Sequence, residues 1–339
     1  DMPRSGQRTF PRAHTLEPRL VTYVVPGAGT QDGTLGLRDV ASGGRRTLGR
    51  FICAIVIRGS GGQADVVAES ATGRTAIFDA SGRTVWTGGT PRNLVAALAG
   101  DTIWMQLGQD AVPVGAGGKV ATPRRLAAFH GRAPNWHKGL VGVGNTSTVG
   151  GWAIAPNGHV FAMGYDGYAA GAQDIMSGRS RRLPGYGVLQ GAAVGSDGML
   201  YTLAWKLISS TDTVHILRID PATLRIVSDA DTRLRLQRTD NAELLPTAHH
   251  GILALVARGD PGQPIQVSVF EADTRGRIGA GPTLPPNIGL AGTVVPNDDL
   301  LVYGGPARNK ISLVNLDTGR LQPVPRYDGP IGSYVESVG

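Results

Sequence analysis

A chain of 339 residues with 50 Gly, 22 Pro, 17% charged and 41% hydrophobic residues is turn-rich yet able to fill a core, which excludes a disordered polyelectrolyte. No apolar run approaches the roughly 18 to 20 residues of a membrane-spanning helix, and the single Cys53 excludes an intrachain disulfide or a cysteine-built zinc site. The net charge of +7 is almost all arginine, with four lysines, and is spread over the chain; it favours anionic partners without marking a nucleic-acid-binding stretch.

In chain order, residues 1–18, "DMPRSGQRTFPRAHTLEP", carry three Pro, three Arg and no periodicity, and read as a linker or stalk. The chain begins at Asp1, not Met, which fits a removed or omitted leader or anchor and an extracytoplasmic location. From Leu20 onward short apolar strands alternate with small-residue turns. The first hairpin is "LRDVASGGRRTL" (Leu37–Leu48), and Cys53 follows in "RFICAIVI" as a buried, inert thiol. "TAIFDASGRTVWTGG" (Thr75–Gly89) repeats the hairpin, and "VPVGAGGKVA" (Val112–Ala121) is a degenerate copy. Further copies are "AQDIMSGRSRRL" (Ala172–Leu183), "LRIDPATLRIV" (Leu217–Val227), "VFEADTRGRI" (Val269–Ile278) and "LVNLDTGRLQPV" (Leu313–Val324).

Each copy has the same physics. An apolar strand ends in Asp, Glu or Asn, whose side chain can cap turn amides. A small-residue turn follows, usually closed by a Gly that can take positive φ, and Arg or a β-former opens the return strand on an exposed outer edge. The closing positions (Gly43, Gly82, Gly118, Gly178, Leu224, Gly276 and Gly319) are about 46 residues apart on average, the length of one four-stranded propeller blade. The other half of each unit also recurs. "GWAIAPNGHVFAMGYDG" (Gly151–Gly167) matches "GAAVGSDGMLYTLAWK" (Gly191–Lys206), with looser versions in "NLVAALAGDTIWMQLG", "GILALVARGD" and "GTVVPNDDLLVYGG". These read as a small-residue strand near a crowded axis, followed by an aromatic-bearing strand that fills the space between diverging blades.

These repeats resemble the broad β-propeller superfamily of TolB-like, YVTN-type and PQQ-type repeats. The expected fold is all-β: one propeller over 19–339, of seven four-stranded blades with six as the alternative, and almost no helix. Approximate blades are 19–50, 51–90, 91–126, 151–186, 187–234, 235–284 and 285–328, with an inserted loop at 127–150. The first unit supplies only three strands, and "IGSYVESV" (Ile331–Val338) supplies the fourth, closing the ring between chain end and chain start.

Departures from the repeat are where chemistry is sought. The largest, "FHGRAPNWHKGLVGVGNTSTVGG" (Phe129–Gly151), gathers His130, Arg132, Trp136 and His137, groups suited to stacking on a sugar ring or holding a carboxylate. The "AHHG" sequence places His249 and His250 just before "ILALVA", read as an inner strand that brings them to a channel mouth. Tyr165 and Tyr168 of "YDGY", with Trp205 at the matching place of the next repeat, fit either a stacking platform or packing between blades. His249, His250 and His137 are the catalytic candidates, and a divalent metal is the one cofactor they could share with His130, His159 or His215. None of them has a recognisable metal-ligand spacing. A phosphate loop, a glycine-rich dinucleotide fingerprint, a G-x-S-x-G elbow and a calcium loop are all absent from the sequence.

The expected function is a monomeric, extracytoplasmic binding module for an anionic glycan, a peptide or a partner protein at the loop face, with no specific nucleic-acid role. The alternative is a metal-assisted polysaccharide lyase or hydrolase with a His-lined site at the channel mouth, in which arginines neutralise a uronate carboxylate.

Overall fold

The computed structural model describes residues 19–24, 33–39, 44–58, 64–129, 148–166, 169–207, 212–236, 241–247, 251–258, 266–273, 275–285, 288–295, 299–304, 311–323 and 334–338. They form seven four-stranded antiparallel sheets, the blades of a β-propeller. Blade one is β28 (Tyr334–Val338), β1 (Arg19–Val24), β2 (Gly33–Asp39) and β3 (Arg45–Phe51), from the axis outward. Blade two is β4 (Cys53–Arg58), β5 (Ala64–Glu69), β6 (Thr75–Phe78) and β7 (Thr84–Gly88); blade three is β8 (Pro91–Ala99), β9 (Thr102–Leu107), β10 (Asp110–Val114) and β11 (Arg124–Arg125). Blade four is β12 (Thr148–Ile154), β13 (Val160–Tyr165), β14 (Ala170–Asp174) and β15 (Ser180–Leu183). Blade five is β16 (Tyr186–Val194), β17 (Leu200–Leu207), β18 (Asp212–Ile219) and β19 (Ile226–Leu236). Blade six is β20 (Asn241–Pro246), β21 (Ile252–Arg258), β22 (Gln266–Ala272) and β23 (Ile278–Ala280); blade seven is β24 (Ile288–Val295), β25 (Asp299–Gly304), β26 (Ile311–Asn315) and β27 (Leu321–Pro323). Among the described residues the only helical element is a 3-10 turn at Ala116–Gly118.

The ring closes where the sequence places the closure. β28 pairs antiparallel with β1, Tyr334 opposite Tyr23 and Val338 opposite Arg19, so the chain's last strand is the innermost strand of its first blade. The first strands then pack against one another all the way round, from β28 to β4, β8, β12, β16, β20 and β24, and back to β28. Apolar cores lie between successive blades. Phe161, Met163 and Leu189 belong to the one between blades four and five, and Leu203, Trp205 and Val256 to the next. One strand assignment changes. "ILALVA" is the second strand of blade six, β21, and the innermost is β20. A blade's first two strands are both buried on both faces, so an apolar run alone does not say which of them it is.

The repeated hairpins join the third and fourth strands of their blades, and their acidic residues do cap turn amides. Asp79 Oδ1 accepts from the backbone N–H groups of Ser81 (3.0 Å) and Arg83 (2.9 Å). Asp273 does the same for Arg275 and Arg277, both at 2.9 Å. In blade seven the capping residue is Asn315, which accepts from Thr318 N–H and Oγ–H at 3.0 and 2.7 Å. Leu224 stands where the other turns have glycine and holds φ +56°, an unfavourable conformation for leucine accompanied by its complete burial in the core between blades four and five.

Several arginines on or just before the outer strands do more than begin an exposed edge, because they cross between blades. Arg46 Nη1 donates to Ser81 O of the next blade's hairpin at 2.8 Å, Arg124 Nη1 to Met176 O at 3.2 Å, and Arg179 Nη2 to Pro221 O at 3.1 Å. Charged donors on backbone carbonyls make the stronger class of hydrogen bond. They stitch successive hairpins into a rim, which gives part of the arginine excess a structural role.

Candidate functional site at the mouth of the central channel

Antiparallel alternation puts the turns between first and second strands on the same face as the Asp hairpins. On this face the ends of five first strands enclose a cavity of about 940 Å³. Its wall comes from Val56 and Ile57 of β4, Ala96–Ala99 of β8, Trp152–Ile154 of β12, Ala192–Val194 of β16 and Leu244–Pro246 of β20, with Gly100, Ala155, Pro156 and Gly158 from the turns. Every described side chain on this wall is apolar.

The small residues are there because the strands nearly touch. A Cβ at Gly150 would lie 1.9 Å from Leu189 O, and one at Gly151 would lie 2.6 Å from Ala192 N. β12 and β16 therefore meet backbone to backbone, a contact only glycine allows. The wall between blades three and four is fixed by two side chains. The buried Gln106 accepts from Val149 N–H (2.7 Å) and donates to Gly108 O (3.0 Å), and Trp152 Nε1–H donates to Val95 O at 3.2 Å.

His130, Arg132, Trp136, His137, Tyr168, His249 and His250 lie outside the described residues. What is described is how the chain approaches that loop. Ala127 N–H donates to Gln173 Oε1 at 2.7 Å, and Gln173 Nε2–H donates to Arg125 O at 3.1 Å. Phe129 is buried over Gly171, where a Cβ would fall 2.1 Å from its ring. Phe129 and Gln173 thus anchor the segment to β14, a role that nothing in the local sequence marks. Tyr165 and Trp205 do not share a face: Tyr165 packs on the core between blades four and five, and Trp205 is buried between blades five and six. Their aromatic bodies fill diverging inter-blade space.

The two described histidines are each held by their own aspartate. His159 Nδ1 meets Asp174 Oδ2 at 3.0 Å and its ring stacks on Phe161. His215 Nδ1 meets Asp229 Oδ1 at 2.5 Å, and its Nε2 meets Thr213 Oγ1 at 3.0 Å. Tyr186 donates its hydroxyl to Asp229 Oδ2 at 2.5 Å, while Lys206 lies 4.0 Å from the same oxygen. Each strand of blade five contributes to this network. Burial opposes ionisation of Asp229, but the hydrogen bonds of Tyr186 and His215, with the Lys206 charge nearby, outweigh it, holding the carboxyl below the usual range. Burial first, then Asp229, pushes the Tyr186 hydroxyl well above its ordinary value. Burial and then Glu69 raise the Cys53 thiol to about 12, which keeps it protonated and unreactive at neutral pH. Among the described residues no group of three or more His, Cys, Asp or Glu is arranged to hold a metal ion.

No known family profile matches the chain, and no curated protein matches its sequence. Among solved structures it resembles a Bacteroides fragilis protein assigned provisionally as a 6-phosphogluconolactonase: TM-score 0.58 and 15% identity, over 95% of this chain and 98% of that one. A Bacteroides uniformis protein with the same provisional assignment gives 0.55 and 15%, over 94% and 98% of the two chains. A Lactobacillus plantarum protein gives 0.55 and 13%, over 96% and 100%. At these identities the likeness establishes a shared fold and no shared chemistry. The chain is a β-propeller whose described channel mouth is an apolar cavity.

Proposed function

We propose that this propeller is a binding module that takes an extended apolar segment of a partner protein at the mouth of its central channel. The observation carrying the reading is the wall itself, about 940 Å³ of space bounded by alanine, glycine, valine, isoleucine, leucine, proline and one tryptophan. Such a surface gains free energy by releasing water from apolar area, roughly 25 cal/mol per Å², and among its described residues offers an anionic sugar no charged or polar side chain. Of the ligand classes expected from sequence, the geometry therefore favours a peptide or partner protein over an anionic glycan. Trp136, His137, His130 and Arg132 belong to the same reading as contributors from the inserted loop.

Selection from a random peptide library on the immobilised chain tests this. Apolar extended sequences are expected, with affinity falling at least about tenfold on Ala99→Arg, a cation set into the wall. Acidic sequences indifferent to Ala99→Arg and lost on Trp136→Ala would overturn the channel in favour of the loop.

A further inference from the structure

A second, smaller cavity of about 320 Å³ lies between the outer strands of blades one and two. Its floor is Phe51 of β3 with Ala76 and Phe78 of β6, all buried; the two rings meet edge to face, with centroids 5.6 Å apart. Leu48 of β3 adds to the apolar wall, and the rim carries Thr84 and Thr87 of β7 with Ser70 and Arg74 of the turn between β5 and β6. That turn is held in place. Ser70 Oγ lies 2.9 Å from Thr72 Oγ1 and accepts the Arg74 N–H at 3.0 Å, while Ser70 N–H donates to Arg74 O at 2.9 Å. The Arg74 backbone is therefore fixed, but among the described residues its guanidinium has no carboxylate partner. The hydroxyls of Thr84 and Thr87 likewise have no partner among the described residues. A cation and two hydroxyls with no partner among the described residues thus rim an apolar floor of a size that small-molecule sites occupy.

We propose that this inter-blade cavity binds a small amphipathic carboxylate, an aliphatic or aromatic acid. Its apolar body packs on Phe51, Ala76 and Phe78. Its carboxylate takes the planar fork of Arg74, whose paired donors match the two oxygens, with Thr84 and Thr87 as further donors. One cation matches one negative charge; a phosphate dianion would leave a second charge against phenylalanine, which is costly to desolvate. The site is distinct from the channel mouth, and the two can be tested apart.

Calorimetric titration with phenylacetate, and with 2-phenylethanol as its uncharged counterpart, separates the outcomes. Phenylacetate is expected to bind wild type and Ala99→Arg alike, and Arg74→Gln at least about tenfold more weakly. The alcohol is expected to bind wild type about tenfold more weakly than the acid. Thr87→Tyr, which fills the rim without removing the charge, is expected to abolish binding and guards against a folding defect in Arg74→Gln. Equal binding to Arg74→Gln, loss on Ala99→Arg alone, or no heat with phenylacetate would each overturn the proposal.

Discussion

Asp174 shows how much one hairpin residue carries. Its side chain is wholly buried at the end of β14, where it accepts from Met176 N–H at 3.0 Å and Ser177 Oγ–H at 2.6 Å, and meets His159 Nδ1 at 3.0 Å. Burial alone would raise its pKa; the bonds from Ser177, His159 and Met176 outweigh burial and lower it. A carboxyl with a depressed folded pKa contributes stability above its unfolded value of about 3.9, and that stability is lost as pH falls toward the lower folded value. Asp174→Asn keeps the shape but replaces an acceptor oxygen with a donor. It is expected to cost about 1–3 kcal/mol at pH 7. That penalty should shrink as pH falls below about 4, because the carboxyl of the unfolded wild-type chain then takes up a proton that the folded carboxyl, with its lowered pKa, accepts only at lower pH. Thermal melts of both proteins between pH 7 and pH 3 should converge at the acid end; parallel curves would show that the ionised form is not what the turn uses.

The hairpin's capping aspartate was readable at the level of the element because its hydrogen bonds are local. The contact that a hairpin makes across a blade gap was not. Gly276, in the blade-six hairpin, has φ +76°, and a Cβ there would lie 2.7 Å from both Arg218 Nε and Asp197 Oδ2 of blade five. Those two groups are bonded to each other at 2.8 Å, and Tyr201 donates to the same Asp197 oxygen at 2.8 Å. The glycine thus serves both a left-handed turn and a docking contact, whereas Gly158 at φ +83° faces open space. Gly158→Ala is expected to cost about 1–2 kcal/mol from backbone strain alone. Gly276→Ala should add about 1–3 kcal/mol of overpacking to that strain. Denaturant midpoints would separate the two, and equal losses would mean that the hairpin does not dock. The same distinction explains what sequence reading reached elsewhere. Strand alternation and turn chemistry revealed the blades and the closing strand. Gln106, Gln173, Phe129 and the Arg46–Ser81 link join residues more than thirty positions apart, and no local periodicity encodes such pairings. For Tyr165 and Trp205 the sequence leaves a rim platform and an inter-blade core equally open, because both need the same residue types, and the structure has them in the inter-blade cores.

For the molecule as a whole, the closing strand decides whether the channel mouth exists as an enclosed space. Each blade is marginal alone, a single twisted sheet with apolar faces that only its neighbours cover. The wall of the channel is a ring of first strands, one of which, β28, comes from the far end of the chain and pairs Tyr334 with Tyr23. Bringing those ends together carries the loop-closure cost of nearly the full chain, so this pairing should form late and be the first to open. Removing Tyr334–Gly339 leaves β1 as an uncovered inner edge with unpaired backbone groups, a template for association. The truncated chain is therefore expected to melt lower than the full chain, and light scattering after size exclusion should show self-association that grows with concentration. It should also lose affinity for channel-directed peptides while keeping phenylacetate, whose cavity between β3 and β6 borders neither β28 nor the axis. An unchanged melting temperature and a monomer at every concentration would mean that the ring holds without its closing strand, and that the inner wall keeps its shape with blade one reduced to β1, β2 and β3.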